Sequence, residues 1–291
     1  MRKGMALTVV AIVWGAGLQT AAAASGVCPG NKNGLGVSRT VQIDTTGGPG
    51  FGLQQYKAYD FLAPKEVVLT FDDGPLPNRT RPILKTLREN CVKATFFPTG
   101  KLAFGYSEVL KEVAKDGHTI GSHTWTHPNL AKMRKKKPED AEREIESTIS
   151  AVHFAVGKHA APFFRFPYLR DSPELLKYLA GRNIAVFSMD IDSFDFKIHN
   201  KKRLISRLFK LLDKKGKGIL LFHDIQPTTV KALPTILKML KNKGYKIVHM
   251  KAKEPVTTIA KYDRELKKKF KGRLANAGGR AMSSVIQTVG N

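Results

Sequence analysis

Between Glu66 and Met250 the chain alternates two hydrophobic patterns. Short β-branched or apolar runs recur at Val67–Phe71, Ala94–Thr99, His118–His123, Phe163–Pro167, Ile184–Met189, Gly218–His223 and Lys246–Met250. Each is short and apolar enough to be a strand covered on both faces. Between them apolar residues return at helical spacing, as in Val109/Leu110/Val113, Ile145/Ile149/Val152, Leu204/Ile205/Leu208/Phe209/Leu212 and Leu233/Ile236/Leu237/Leu240. Pro138 opens one such helix, followed by Glu139 and Asp140 where the helix dipole favours negative charge. Strands that alternate with helices predict a parallel sheet carrying helices on its faces.

A parallel α/β sheet can close into a barrel or stay open and doubly wound. An open sheet concentrates its ligand groups at one switch point, whereas a barrel collects them from the C-terminal ends of many strands. Here Asp72/Asp73, His123, Arg165, Asp190/Asp192 and His223 each fall at or just past the end of a different predicted run. Seven such units with their chemistry on one rim predict an incomplete or distorted barrel.

The flanks lack this periodicity. Met1 to Lys3 carries positive charge, Ala6 to Leu18 is almost wholly apolar, and Ala22–Ala24 precede Ser25. That order predicts a secretory signal peptide over residues 1–24. Its apolar run is shorter than the roughly 20 residues a membrane span requires, so no stable span is expected after cleavage. Residues 25–64 read as an extension wrapped over a domain at 65–250. Residues 251–291, rich in lysine and small residues, read as a basic tail, either disordered or a loose helix. An exported chain enters an oxidising compartment, where Cys28 and Cys91 are expected to pair and pin the extension to the domain.

The formal charge of +25 predicts attraction to polyanions. Export disfavours nucleic acid and leaves anionic wall or matrix polymers as the expected partner. The excess clusters in Lys132–Lys137, Lys197–Arg203 and Lys251–Arg273, which read first as solvated faces and second as docking patches.

Candidate chemistry starts from His123-Thr-Trp-Thr-His127. Two imidazoles four residues apart can face the same way on a helical turn and bind one divalent ion. Catalytic zinc takes about three protein ligands and keeps a position open. One of Asp72/Asp73 would complete a set of two imidazoles and a carboxylate, and the other would remain free as a base. The helical zinc motif places its base directly after the first histidine, where this chain has Thr124. His223 ends the apolar run Ile219–Phe222 and would deliver a proton donor to the rim. Arg165 closes another apolar run and requires a carboxylate, either Asp72 or a rim aspartate. Asp190, Asp192 and Asp195 are candidates to orient His223 or Arg165. His118, His153, His159, His199 and His249 lack such settings and read as surface or core residues.

In order along the chain stand Thr70-Phe-Asp-Asp-Gly-Pro75, His123-Thr-x-x-His127, Arg165-x-Pro-Tyr168, Asp192-x-x-Asp195-Phe196 and Leu221-x-His223. This series resembles the five motifs of the polysaccharide deacetylases (the NodB-homology group, carbohydrate esterase family 4). The likeness runs from about Glu66 to Met250. It implies the family's distorted (β/α)7 barrel and metal-dependent hydrolysis of an N-acetyl group on an amino-sugar polysaccharide. By position, Asp72 would be the general base, with Asp73, His123 and His127 holding a divalent metal. Zinc suits that set best, and cobalt, nickel or iron are alternatives. Arg165 would hold Asp72, the Tyr168 N–H would face the oxyanion, and Asp195 would orient His223 as general acid. Leu221 would line the acetyl pocket. The family usually has Trp where this chain has Phe196, which keeps an aromatic wall and loses an indole donor.

Two other readings accommodate the same residues. One is a hydrolase of O-acetyl esters or small amides on this scaffold, and the other is a silent cationic polysaccharide-binding protein.

Overall fold

The computed structural model describes Cys28 and residues 31–269. The expected signal segment 1–24 and the last part of the tail lie outside those residues. The elements run β1 (Arg39–Ile43), β2 (Gly50–Phe51), β3 (Glu66–Asp73), α1 (Pro77–Glu89), β4 (Thr95–Pro98), α2 (Gly100–Gly105), α3 (Ser107–Lys115) and β5 (Thr119–Ser122). They continue as α4 (Leu130–Lys136), α5 (Pro138–Val156), β6 (Ala160–Phe164), α6 (Pro173–Gly181), β7 (Ala185–Phe187), β8 (Ile191–Asp192), α7 (Lys201–Lys215), β9 (Gly218–His223), α8 (Pro227–Asn242) and β10 (Lys246–Ala252).

All recorded strand pairings are parallel. The wall runs β8–β9–β3–β4–β5–β6–β7, and among the described residues β7 and β8 do not pair with each other. The result is the expected distorted barrel, open at one seam. Strand β3 shows how alternation builds it. Val67, Leu69 and Phe71 face the helices and join the main core, where Phe71 stacks between Phe96 and Phe222 at 5.1 and 5.6 Å. Burying each such ring contributes roughly 1.5–3 kcal/mol. Val68 points inward to a second cluster with Phe97, Phe163, Phe187, Ile219 and Val248. Thr70 and Asp72 continue that inner row to the mouth.

The extension is more ordered than the sequence predicts. Strand β1 pairs with β10, and β2 pairs with β7 beside the open seam. Neither has a sustained pattern of its own, because each borrows its ladder from an existing strand. Phe51 stacks on Phe187 at 5.1 Å. Arg39 pairs with Glu66 at 2.6 Å, and the Cys28–Cys91 disulfide fixes the extension beyond α1, as expected.

Of the two readings of the tail, its first half takes the helical one. A helix covers residues 260–269, and Val256, Tyr262 and Leu266 are buried. The Val256 N–H donates to the Ala160 carbonyl, and Arg143 pairs with Glu265. Lysines dominate this stretch in number, yet three widely spaced apolar residues suffice to seat it. Among the described residues no helix is long and apolar enough to cross a membrane.

Candidate active site

Parallel register brings the strand ends together. Asp72 lies directly beside His223 of β9 and Phe97 of β4, and Asp73 lies beside Pro98. On a regular strand Asp72 and Asp73 would face opposite sides. Asp73 breaks the alternation through its own backbone, with φ of 78°, so both carboxylates reach the mouth. Non-glycine residues adopt this conformation rarely and at a cost, and such residues gather at functional sites. Thr124, His127, Tyr168 and Phe194 share it, at φ of 64°, 61°, 58° and 58°.

That geometry corrects the expected helical turn. His123 to His127 form a loop between β5 and α4. Pro128 disfavours helical backbone at the residue before it, and the buried Thr124 hydroxyl accepts the His127 N–H at 3.1 Å. Thr124 thus builds the turn that brings the second imidazole back. His123 Nε2 and His127 Nε2 stand 3.6 and 3.5 Å from Asp73 Oδ1.

Four observations fit this trio to a divalent cation. Asp73 Oδ1 is buried and has no hydrogen-bond partner among the described residues. His123 Nδ1 donates to the Arg165 carbonyl at 2.7 Å, which leaves the Nε2 lone pair facing Asp73. Burial holds the His123 pKa below the usual imidazole value despite the opposing pull of Asp72 and Asp73, so the ring is neutral and can ligate. The ligating atoms of the three residues lie within 4.8 Å of one another.

Asp72 has a partner of its own, although its Oδ2 stands 3.8 Å from His123 Nε2. Arg165, fully buried, donates from Nη1 to Asp72 Oδ1 at 2.7 Å and to Thr70 Oγ1 at 2.8 Å. Its Nη2 donates to the Ser188 carbonyl at 2.8 Å, and its guanidinium lies 4.4 Å over the Phe97 ring. A buried cation needs this complete set of partners. Of the two partners left open by the sequence, the structure selects Asp72.

Across the mouth, His223 Nδ1 donates to Asp195 Oδ1 at 2.6 Å, and the His223 N–H donates to Oδ2 at 2.7 Å. Burial pulls the His223 pKa down, but the Asp195 bond and the charges of Asp195, Asp73 and Asp72 raise it to about 9. The ring is therefore charged at neutral pH, with Nε2 free to give a proton. Asp192 lines the cleft and attracts the His223 charge, but it makes no hydrogen bond that would orient the ring. Its Oδ1 accepts the Phe194 N–H at 2.8 Å, and burial raises its pKa. Asp190 leaves the site altogether. Its oxygens accept the Leu53 and Ile219 N–H groups at 2.7 and 2.6 Å, near the start of β9, so it orients neither His223 nor Arg165.

Two supporting residues carried no sequence signal. Thr229, at the start of α8, donates its hydroxyl to Asp195 Oδ2 at 2.5 Å. Asp224, fully buried, accepts the Gly74 N–H at 2.8 Å and the Thr80 hydroxyl at 2.6 Å. A Cβ on Gly74 would stand 2.1 Å from Asp224, so only glycine fits there. Burial raises the Asp224 pKa to about 7. His118 and His249 are core residues, held neutral by burial at about 3 and about 4.

Comparison with known proteins gives the chain a family. The family profile for polysaccharide deacetylase matches residues 62–186. A peptidoglycan-N-acetylglucosamine deacetylase of Bacillus cereus is 33% identical over 199 residues, covering 66% of this chain and 70% of that protein. The chain belongs to the polysaccharide deacetylase family. The peptidoglycan-N-acetylmuramic acid deacetylase PdaC of Bacillus subtilis is 33% identical over 193 residues, of which the chain spans 39% of the length. The peptidoglycan deacetylase Bd3279 of Bdellovibrio bacteriovorus has a structure superposing with a TM-score of 0.67 at 36% identity, covering 75% of this chain and 59% of that one.

The deacetylase-family cleft has a volume of about 710 Å³ and collects Asp72, Asp73, His123, His127, Asp192, Leu221 and His223 on one surface. Two exposed aromatics flank it. Tyr168 is 63% exposed and packs edge-on to His127 at 4.7 Å. Phe196 is 40% exposed and packs edge-on to His223 at 5.5 Å.

Proposed function

We propose that the protein removes N-acetyl groups from an amino-sugar polysaccharide, releasing acetate, as an exported enzyme acting on cell-wall glycan. One observation carries this reading: a metal-fit trio, a separately held carboxylate and a charged imidazole face one cleft from different strands. The names of the relatives support an N-acetylated glycan as substrate. The disulfide is compatible with an oxidising compartment.

Asp73, His123 and His127 would hold the ion, and two imidazoles with one carboxylate suit zinc. Once bound, such an ion polarises the amide carbonyl and makes water acidic enough to attack near neutral pH. Asp72 accepts the proton of the attacking water, with Arg165 fixing which oxygen faces the cleft. The Tyr168 N–H donates to the oxyanion that develops on the former carbonyl. His223 gives its Nε2 proton to the departing amine, and Asp195 holds the imidazole in register for that transfer. Leu221 bounds the acetyl methyl, and Phe196 supplies a flat wall for a sugar ring.

The test is acetate release from a panel of acetylated glycans and simple esters, with chelator and with zinc restored. Release from N-acetylated amino-sugar polymers, lost on chelation and regained with zinc, is expected. Release from O-acetyl esters alone would overturn the substrate assignment. Glycan binding that survives chelation with no acetate from any substrate would favour a silent binding protein.

A further inference from the structure

Behind the Phe196 wall lies a second cavity of about 560 Å³. It is lined by Phe194, Lys197, Arg203, Arg207 and Lys210, four cations around one aromatic ring. Among the described residues none of these cations forms an ion pair with a carboxylate within 4.0 Å, and the half-buried Arg207 differs in this from the buried or half-buried Arg39, Arg165, Arg182 and Lys217. The charge of Asp192 is felt by Arg207 from beyond that distance. Arg207 stacks its guanidinium 4.3 Å over Phe194, and its Nε is buried without a hydrogen-bond partner. A buried donor left unpaired is costly, and three exposed like charges around the half-buried Arg207 add a positive field, so the cavity favours an anion.

The cavity is joined to the catalytic cleft by a continuous run of rings. Phe194 stacks on Phe196 at 5.4 Å, and Phe196 abuts His223 at 5.5 Å. Lys197 bridges the two walls, with Nζ 5.8 Å from the Phe194 ring and 5.7 Å from the Phe196 ring. Phe194 takes its left-handed backbone at this joint, with φ of 58°.

We infer that this cavity is an anion subsite that recognises a carboxylate on the glycan, next to the residue being deacetylated. The inference rests on the deacetylase reading and narrows its substrate to acidic N-acetylated glycans. Arginine supplies paired donors for a carboxylate, and the exposed Arg203, Lys197 and Lys210 supply the field that draws it in.

The test uses strands of alternating N-acetylglucosamine and N-acetylmuramic acid, stripped of peptide so that the lactyl group is the acid. Half the material has its carboxylates converted to methylamides, which leaves the N-acetyl groups in place. The double variant R203E/K210E is compared with the parent, and K231E/K238E on α8 controls for net charge. The parent is expected to prefer free-acid strands, in kcat/KM, by about tenfold or more at low salt. R203E/K210E is expected to abolish that preference, and K231E/K238E to keep it. Equal rates on both strand types by the parent, or a preference retained by R203E/K210E, would overturn the subsite. Binding of both strand types to a D72N protein, read by calorimetry, decides the subsite even if no acetate is released. Absence of acetate from every strand would then count against the deacetylase reading alone.

Discussion

Asp73 and Asp190 stand at opposite ends of one barrel and differ in what they leave undone. Asp190, near the start of β9, spends both oxygens on the Leu53 and Ile219 N–H groups and so fastens the extension to the sheet. Asp73, at the C-terminal end of β3, keeps a buried oxygen without a partner and aims it at two imidazoles. The histidines repeat the contrast. Burial pulls His118, His249 and His223 down alike. At the base nothing opposes it, and the rings stay neutral. At the rim Asp195, Asp73 and Asp72 overcome it, and His223 rises to about 9. A polar group whose bonding is complete within the fold is structural, and one left incomplete is available for a ligand or a proton.

The strongest way to break this contrast is to remove the ligands. Asp73→Ala, His123→Ala or His127→Ala is expected to abolish stoichiometric zinc and to reduce acetate release below detection, with the fold intact by circular dichroism. Metal content measured by mass spectrometry checks it, and zinc retained at one per chain in all three would sink the assignment.

A smaller effect is expected at the far wall. Asp195→Asn removes the main support of the His223 proton, so turnover should fall roughly 10- to 100-fold, as for other partners that orient a working imidazole. The alkaline limb of the pH–rate profile should also move to lower pH. The sign follows from the raised pKa. The stability contributed by the proton on His223 is fully present below about 6.5, the unfolded value, and is lost as pH rises through about 9, where the folded ring itself gives the proton up. A cation at Asp73 cancels part of that carboxylate's pull, so the limb of the metal-loaded protein should lie below 9. An unmoved limb in Asp195→Asn would assign the titration to another group.

The smallest effect on chemistry is expected at the base. Asp190→Ala leaves two backbone donors unpaired and should cost about 1–3 kcal/mol of stability in urea titrations. Its kcat at a temperature where it is folded should match the parent. A large loss of kcat there would erase the distinction between the two ends.

How much of this was legible follows the same division. The inner row Val68–Thr70–Asp72 and strand β9 could be read directly, since they are continuous apolar runs ending in chemistry. Strands β1 and β2 could not, because their regularity comes from partners in β10 and β7. The helix over 260–269 is legible only as an alternative to disorder, because lysines surround its sparse anchors at Tyr262 and Leu266. At the site, the spacing of His123 and His127 suggested a helix, whereas left-handed residues at Thr124 and His127 close the loop. Asp190 looked equivalent to Asp195 in sequence, and only the bonds each accepts separate them. Thr229 and Asp224 contribute through residues far away in the chain, so no local pattern announces them.

The central claim is that the cleft separates a metal-holding carboxylate, Asp73, from a proton-accepting one, Asp72. Its most direct test is Asp72→Asn, assayed at once for bound zinc and for acetate release from N-acetylglucosamine oligomers. One zinc per chain is expected, as in the parent, with turnover reduced by roughly 10²- to 10⁴-fold. Parental turnover in Asp72→Asn, or loss of zinc to the extent seen in Asp73→Ala, would contradict it.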